Sequence, residues 1–127
     1  MSTAKMPNGH QTIMPYLMLK SAAKFIDFTK NVFGAEVTFT KMRDNTDVVM
    51  HSEIRINDST IMFCDSTDQW KTATSNLFIY VDNADETYKK ALSEGATTIM
   101  EPANQDYGRS CGVTDPCENV WWITSVK

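Results

Sequence analysis

An α+β domain built from two βαβββ modules in tandem is predicted by three observations. The stretches PYLMLKSAAKFIDFTKNVFGAEVTFT and NLFIYVDNADETYKKALSEGATTIM read alike, each as a strand, a helix and a strand. Both helical patterns end in the same pair, Gly34-Ala35 and Gly95-Ala96, 61 positions apart (95 − 34). After each helix come three strand candidates separated by turn residues. A chain of 127 residues fits one domain and can bury a sizeable core.

Taken in order, residues 1–11 are polar and lack the apolar centre of a signal peptide, so a disordered tail is expected there. The domain then spans 12–127, with modules at about 12–66 and 74–127 joined by the polar segment DSTDQWKTATS. After a first strand, a helix is predicted over Ala22–Phe33. Ser21 suits its N-cap and Gly34 the left-handed position beyond its end. Its apolar stripe is Ala22, Ile26, Thr29 and Phe33, widened by Phe25 and Val32. Strands follow over Glu36–Arg43, Val48–Ile56 and Thr60–Asp65, with Asn57-Asp58 as a tight turn. In the second module Asn83 and Glu86 make a capping-box-like start for a helix over Ala84–Glu94. Ala84, Tyr88, Ala91 and Leu92 form its buried face. Strands are predicted over Thr97–Glu101, Arg109–Thr114 and Asn119–Val126.

Composition narrows the partners. The chain carries a formal charge of −4, with its 12 basic residues scattered, which argues against nucleic acid and anionic membranes. No apolar run approaches the roughly 18 residues of a membrane span. Three cysteines without C-x-x-C spacing read as reduced thiols of a cytoplasmic protein.

Two βαβββ modules resemble the vicinal oxygen chelate superfamily, which includes glyoxalase I, extradiol dioxygenases and the fosfomycin- and bleomycin-resistance proteins. More narrowly, PYLMLKSAAKFIDFTKNVFGAE, MHSEIRINDSTIMFCD and YGRSCGVTDPCENVWWI are similar to its PhnB-like branch. The resemblance covers about residues 12–125. It implies curved mixed sheets around a central cavity, with the helices outside, a small-molecule ligand, and a homodimer in which the site is completed across the interface.

With that architecture, period-2 alternation sorts the side chains. Leu17, Leu19, Leu77, Ile79 and Val81 should face the helices. Met14, Tyr16, Met18, Asn76, Phe78 and Tyr80 should face the cavity. On the third strand Val48, Met50, Ser52, Ile54 and Ile56 make the apolar face, while His51, Glu53 and Arg55 point to the cavity with Met62 and Cys64. Arg109, Cys111, Trp122 and Thr124 are the counterparts in module two. Trp121 and Ile123 then belong to the core beneath the second helix. A slip of one residue would exchange the faces of any strand.

Metal-using members hold a divalent ion with about four side chains, usually His, Glu or Gln, which polarises vicinal oxygens of the substrate. The matching positions here are Met14, Met62, Asn76 and Trp122. Thioethers and an indole do not make a hard-cation site, so no metal cofactor is expected. The final hairpin also departs from the related pattern DPFGHVWW, with Glu118 for glycine and Asn119 for histidine, and YGRS lacks the aspartate of YGDR.

Two classes of function remain open. One is a metal-independent binding protein whose ligand meets Met14, Tyr16, Met18, Arg55, Met62, Asn76, Phe78, Tyr80, Arg109 and Trp122. The other is an enzyme using a divergent metal or His51 with Glu53 as a general-base pair. His51, Glu53 and Arg55 also read as a hydrogen-bonded ladder, and the aromatic set also reads as core packing. His10 falls in the polar tail, apart from the site. Trp70, in the linker, reads as an interface anchor, a cavity lid or an edge residue.

Overall fold

A computed structural model describes residues 4–126. The strands are β1 (Tyr16–Leu19), β2 (Glu36–Met42), β3 (Val49–Ile56), β4 (Ser59–Asp65), β5 (Asn76–Tyr80), β6 (Thr97–Gln105), β7 (Gly108–Thr114) and β8 (Val120–Ser125). The helices are α1 (Ala22–Phe33) and α2 (Ala84–Ser93). They form two four-stranded mixed sheets, ordered β1-β4-β3-β2 and β5-β8-β7-β6. β1 pairs parallel with β4 and β5 parallel with β8, and the remaining pairs are antiparallel. The predicted α+β class and module order are those observed. No described helix is long and apolar enough to cross a membrane.

The helix limits follow from local chemistry. The Ser21 hydroxyl accepts from the Lys24 amide at 3.2 Å, and the Asn83 side chain accepts from the Glu86 amide at 3.1 Å. Gly34 takes φ 73°, which lets the chain turn at the end of α1. α1 buries Phe25, Phe28 and Val32, whereas α2 fully buries only Ala84 and Ala91.

Trp121 is the largest fully buried side chain. Its ring lies 4.6 Å from Phe33 and 6.4 Å from Phe25. It is therefore a core residue, as expected, and its ring packs on Phe25 and Phe33 of α1. The helices touch each other, so both modules share one core.

The hairpin between β7 and β8 explains how Trp121 is held. Asp115 is buried, and its carboxylate accepts from the Cys117 amide (2.7 Å), the Asn119 amide (3.0 Å), Asn119 Nδ2 (3.1 Å) and Trp121 Nε1 (2.8 Å). Asn119 in turn accepts from the Ser75 amide at 3.1 Å, tying the linker to the hairpin. Glu118 stands at φ 71°, a conformation that favours glycine, which accounts for the glycine in the related pattern.

Two strand faces differ from expectation. On β3 the pairing runs Lys41 to His51 and then Met42 to Val49, leaving Met50 as an extra residue. Such a bulge turns neighbouring side chains to the same side, so Val49 is buried and Met50 joins His51 on the outer face. On β7, Gly112 pairs with Trp122, and Cys111 with Ile123. Arg109 and Cys111 thus face the helices, opposite to the face assigned by alternation. All three cysteines are free and buried.

Candidate functional site

Because Leu17, Leu19 and Trp121 turn inward, the opposite face of each sheet is left outward and rich in aromatic rings. Tyr16 is 41% exposed, Phe78 51% and Tyr80 66%. The residues expected around one cavity fall into two groups, one per sheet. On the first sheet are Tyr16, Met18, His51, Glu53 and Met62, with half-buried Met14 just before β1. On the second are Asn76, Phe78, Tyr80 and Trp122. A groove of about 380 Å³ is bounded by Ile13, Pro15 and Ile61 on one side and Phe78 and Tyr80 on the other, and of the two groups only Phe78 and Tyr80 line it.

The first group contains a hydrogen-bonded chain. Glu53 Oε1 lies 2.7 Å from His10 Nε2, and Glu53 Oε2 lies 2.8 Å from His51 Nε2. An ionised carboxylate only accepts, so both imidazoles donate to it. His51 Nδ1 is then free to accept from the Tyr16 hydroxyl, 3.0 Å away. Burial pushes the Glu53 carboxyl up, but the bonds from His51 and His10 more than offset this and hold it below its ordinary value of 4.5. Burial, together with Cys64, pushes the Tyr16 phenol up.

Sequence patterning set His10 aside because it lies before the first strand. The segment around it is fixed by contacts that alternation does not reveal: Thr60 Oγ1 donates to the Gly9 carbonyl at 2.5 Å, and Gln11 bonds the Thr60 backbone through both ends of its amide. The depressed value at Glu53 has a pH consequence. Its stabilising contribution is present above about pH 4.5 and is lost as the pH falls through the lower folded value. Glu53→Gln is expected to flatten the acid limb of a stability–pH profile measured by urea unfolding. An unchanged limb would exclude this carboxylate as a source of that slope.

Beside the relay, Tyr16, Met18, Arg43, Met50, Cys64 and Trp70 bound a cleft of about 440 Å³. Arg43 was absent from the sequence-derived site because it ends a strand candidate. Met50 was absent because the bulge reverses its face.

The second group is organised by Trp122. Its Nε1 donates to Asn76 Oδ1 at 3.2 Å. Its ring lies over Gly112, where an added Cβ would fall 2.5 Å from a ring carbon. Phe78 packs edge-on to Tyr80, 5.3 Å between centroids, and 6.2 Å from Tyr107.

Of the two arginines assigned to the site, Arg109 lies apart from these groups and Arg55 borders the first. Arg109 makes a two-pronged bond to Asp85 at the start of α2, both contacts at 3.1 Å. The Arg109 guanidinium holds the Asp85 carboxyl below its usual range. Arg55 is exposed, donates to the Asn57 carbonyl at 3.0 Å, and shares a shallow pocket with His10 and Glu53.

The four positions that metal-using relatives employ do not fit a hard divalent ion. Met14 and Met62 supply sulfur, Trp122 supplies only an N–H, and the Asn76 oxygen already accepts from Trp122. Among the described residues no three His, Cys, Asp or Glu side chains are grouped to hold a metal.

Comparison with known proteins adds three findings. A family model described as Glyoxalase/Bleomycin resistance protein/Dioxygenase superfamily matches residues 10–123. An uncharacterized protein of Mycobacterium bovis is 29% identical over 126 residues, covering 90% of this chain and 82% of the relative. Two solved structures share the fold. TnmS3, an antibiotic binding protein from Streptomyces sp. CB03234, superposes with a TM-score of 0.70 at 16% identity, covering 93% of this chain and 100% of the other. A PhnB protein from Bacillus cereus gives a TM-score of 0.70 at 16% identity, covering 91% and 100%.

Proposed function

This chain belongs to the glyoxalase/bleomycin resistance protein/dioxygenase superfamily, and we propose that within it the protein binds a small planar or amphipathic molecule without a metal centre. The observation that carries this reading is the donor set at the four metal positions: two thioethers, an indole N–H, and a single amide oxygen that already accepts from that indole. Aromatic and thioether side chains supply contact area for such a ligand. The antibiotic-binding neighbour TnmS3 supports the same class of role. The PhnB protein among the structural neighbours, with the three stretches quoted above, supports a place on the PhnB-like branch. Free, buried thiols support the cytoplasm as its location.

A second copy of the chain completes the site. Tyr16, Phe78 and Tyr80 present apolar ring surface to solvent that a second copy would cover. Phe78→Asp would place a charge there and is expected to convert the dimer to a monomer in light scattering. A wild-type chain that is already monomeric at working concentration would remove this part of the proposal.

Elemental analysis of protein purified without chelator tests the metal-free reading. Less than a tenth of an equivalent of Zn, Mn, Ni or Fe is expected, with no change in thermal midpoint on adding chelator. One equivalent of any of them would overturn it.

The Tyr16–His51–Glu53–His10 chain favours a second reading, an enzyme in which His51 takes a proton as a general base oriented by Glu53. In that case Glu53→Gln would abolish turnover while sparing ligand binding.

A further inference from the structure

Arg43 ends the hairpin arm between β2 and β3, where its amide donates to the Val48 carbonyl at 2.8 Å. Its side chain lines the cleft formed with Tyr16, Met18, Met50, Cys64 and Trp70. The Nε atom is buried and has no hydrogen-bond partner. None of the ion pairs among the described residues takes its charge, although Asp44 and Asp47 stand exposed on the same hairpin. Every other wall of the cleft is a thioether, a thiol, a phenol or an indole, so no carboxylate lines it.

A guanidinium stays charged at every physiological pH, and a buried donor such as its Nε is costly to leave unmatched. Its planar fork fits a carboxylate through two parallel bonds. Tyr16 and Trp70 offer ring faces and edges for an aromatic body, and Met18 and Met50 offer polarisable sulfur beside it. We propose that this cleft binds a small aromatic carboxylic acid, with Arg43 receiving the carboxylate and Trp70 and Tyr16 flanking the ring. The assignment rests on the small-molecule-binding reading above and adds to it the charge class of the ligand. A single cation suits a monoanion better than a phosphate dianion. The Arg43 charge also opposes the upward shift of both Tyr16 and Cys64, as expected for a guanidinium beside them.

The full chain should be titrated by calorimetry with benzoate, 2-naphthoate and indole-3-acetate, and with the corresponding neutral amides. At least one acid is expected to bind ten-fold or more tightly than its amide, quenching tryptophan emission as it does so. Arg43→Gln should remove that preference by weakening the acid ten-fold while leaving the amide unchanged. Arg43→Lys, which keeps the charge without the fork, should fall between, and Arg109→Gln should leave both ligands unaffected. Trp70→Phe should abolish the quenching. Equal binding of acids and amides by the wild type, or acid binding indifferent to Arg43→Gln, would overturn the carboxylate assignment and leave the small-molecule reading intact. Binding of no aromatic of either charge would overturn both.

Discussion

Asp115→Ala is expected to destabilise the folded chain by about 3–5 kcal/mol, since it strips the acceptor from several buried donors at once. Four donors converge on that carboxylate: two backbone amides of the hairpin, the Asn119 side chain and the Trp121 indole. None of them gains a replacement from the alanine methyl. The damage extends beyond the turn, because Trp121 is the ring on which α1 rests and Asn119 ties the linker between the modules. Asp115→Asn keeps the shape and one good acceptor and should cost about half as much. Urea unfolding monitored by circular dichroism gives the comparison, with the midpoint moving and the slope unchanged. A loss below about 1 kcal/mol for the alanine variant would mean that water replaces the carboxylate and that the hairpin does not depend on it.

Gly112→Ala is the second substitution with a large expected effect. The new Cβ would lie 2.5 and 2.7 Å from carbons of the Trp122 ring. A rigid indole cannot yield by a small rotation of its far end, so it must leave its seat. Overpacking of this kind costs about 1–3 kcal/mol. Displacing the ring also breaks its bond to Asn76. Thermal melts and the near-ultraviolet dichroism of tryptophan report the two effects separately. An unchanged tryptophan signal would show that the ring does not depend on this glycine.

The sequence carried the fold further than it carried the site. Ser21, Gly34 and Asn83 mark helix ends through local bonds, and local chemistry is what a linear pattern preserves. The tryptophan doublet was also legible, because β8 pairs with β7 without a bulge and puts Trp121 inside and Trp122 on the opposite face. β7 was not. Gly112 gives no side chain to mark its face, and Arg109 and Cys111 look equally suited to either side until the Asp85 partner is known. On β3 the bulge at Met50 breaks the period of two, and no residue type announces it. His10 reaches Glu53 from 43 positions away, a contact that depends on how the N-terminal segment is laid across β3 and β4. Trp121 meets α1 because the two modules share a core, which a module-by-module reading does not anticipate.

The three buried cysteines give the chain a chemical clock. Burial pushes the thiols of Cys111 and Cys117 up to about 11, and that of Cys64 also upward. At neutral pH only about one Cys111 or Cys117 thiol in ten thousand is then the reactive thiolate, and it is enclosed as well. Alkylating reagents should therefore wait for the structure to open, and the rate of modification becomes a measure of opening. Cys64 borders the cleft, while Cys111 lies between β7 and α2, and Cys117 lies in the final hairpin. Their separate labelling rates, resolved by peptide mass, would distinguish a local opening at the ligand cleft from unfolding of the whole domain.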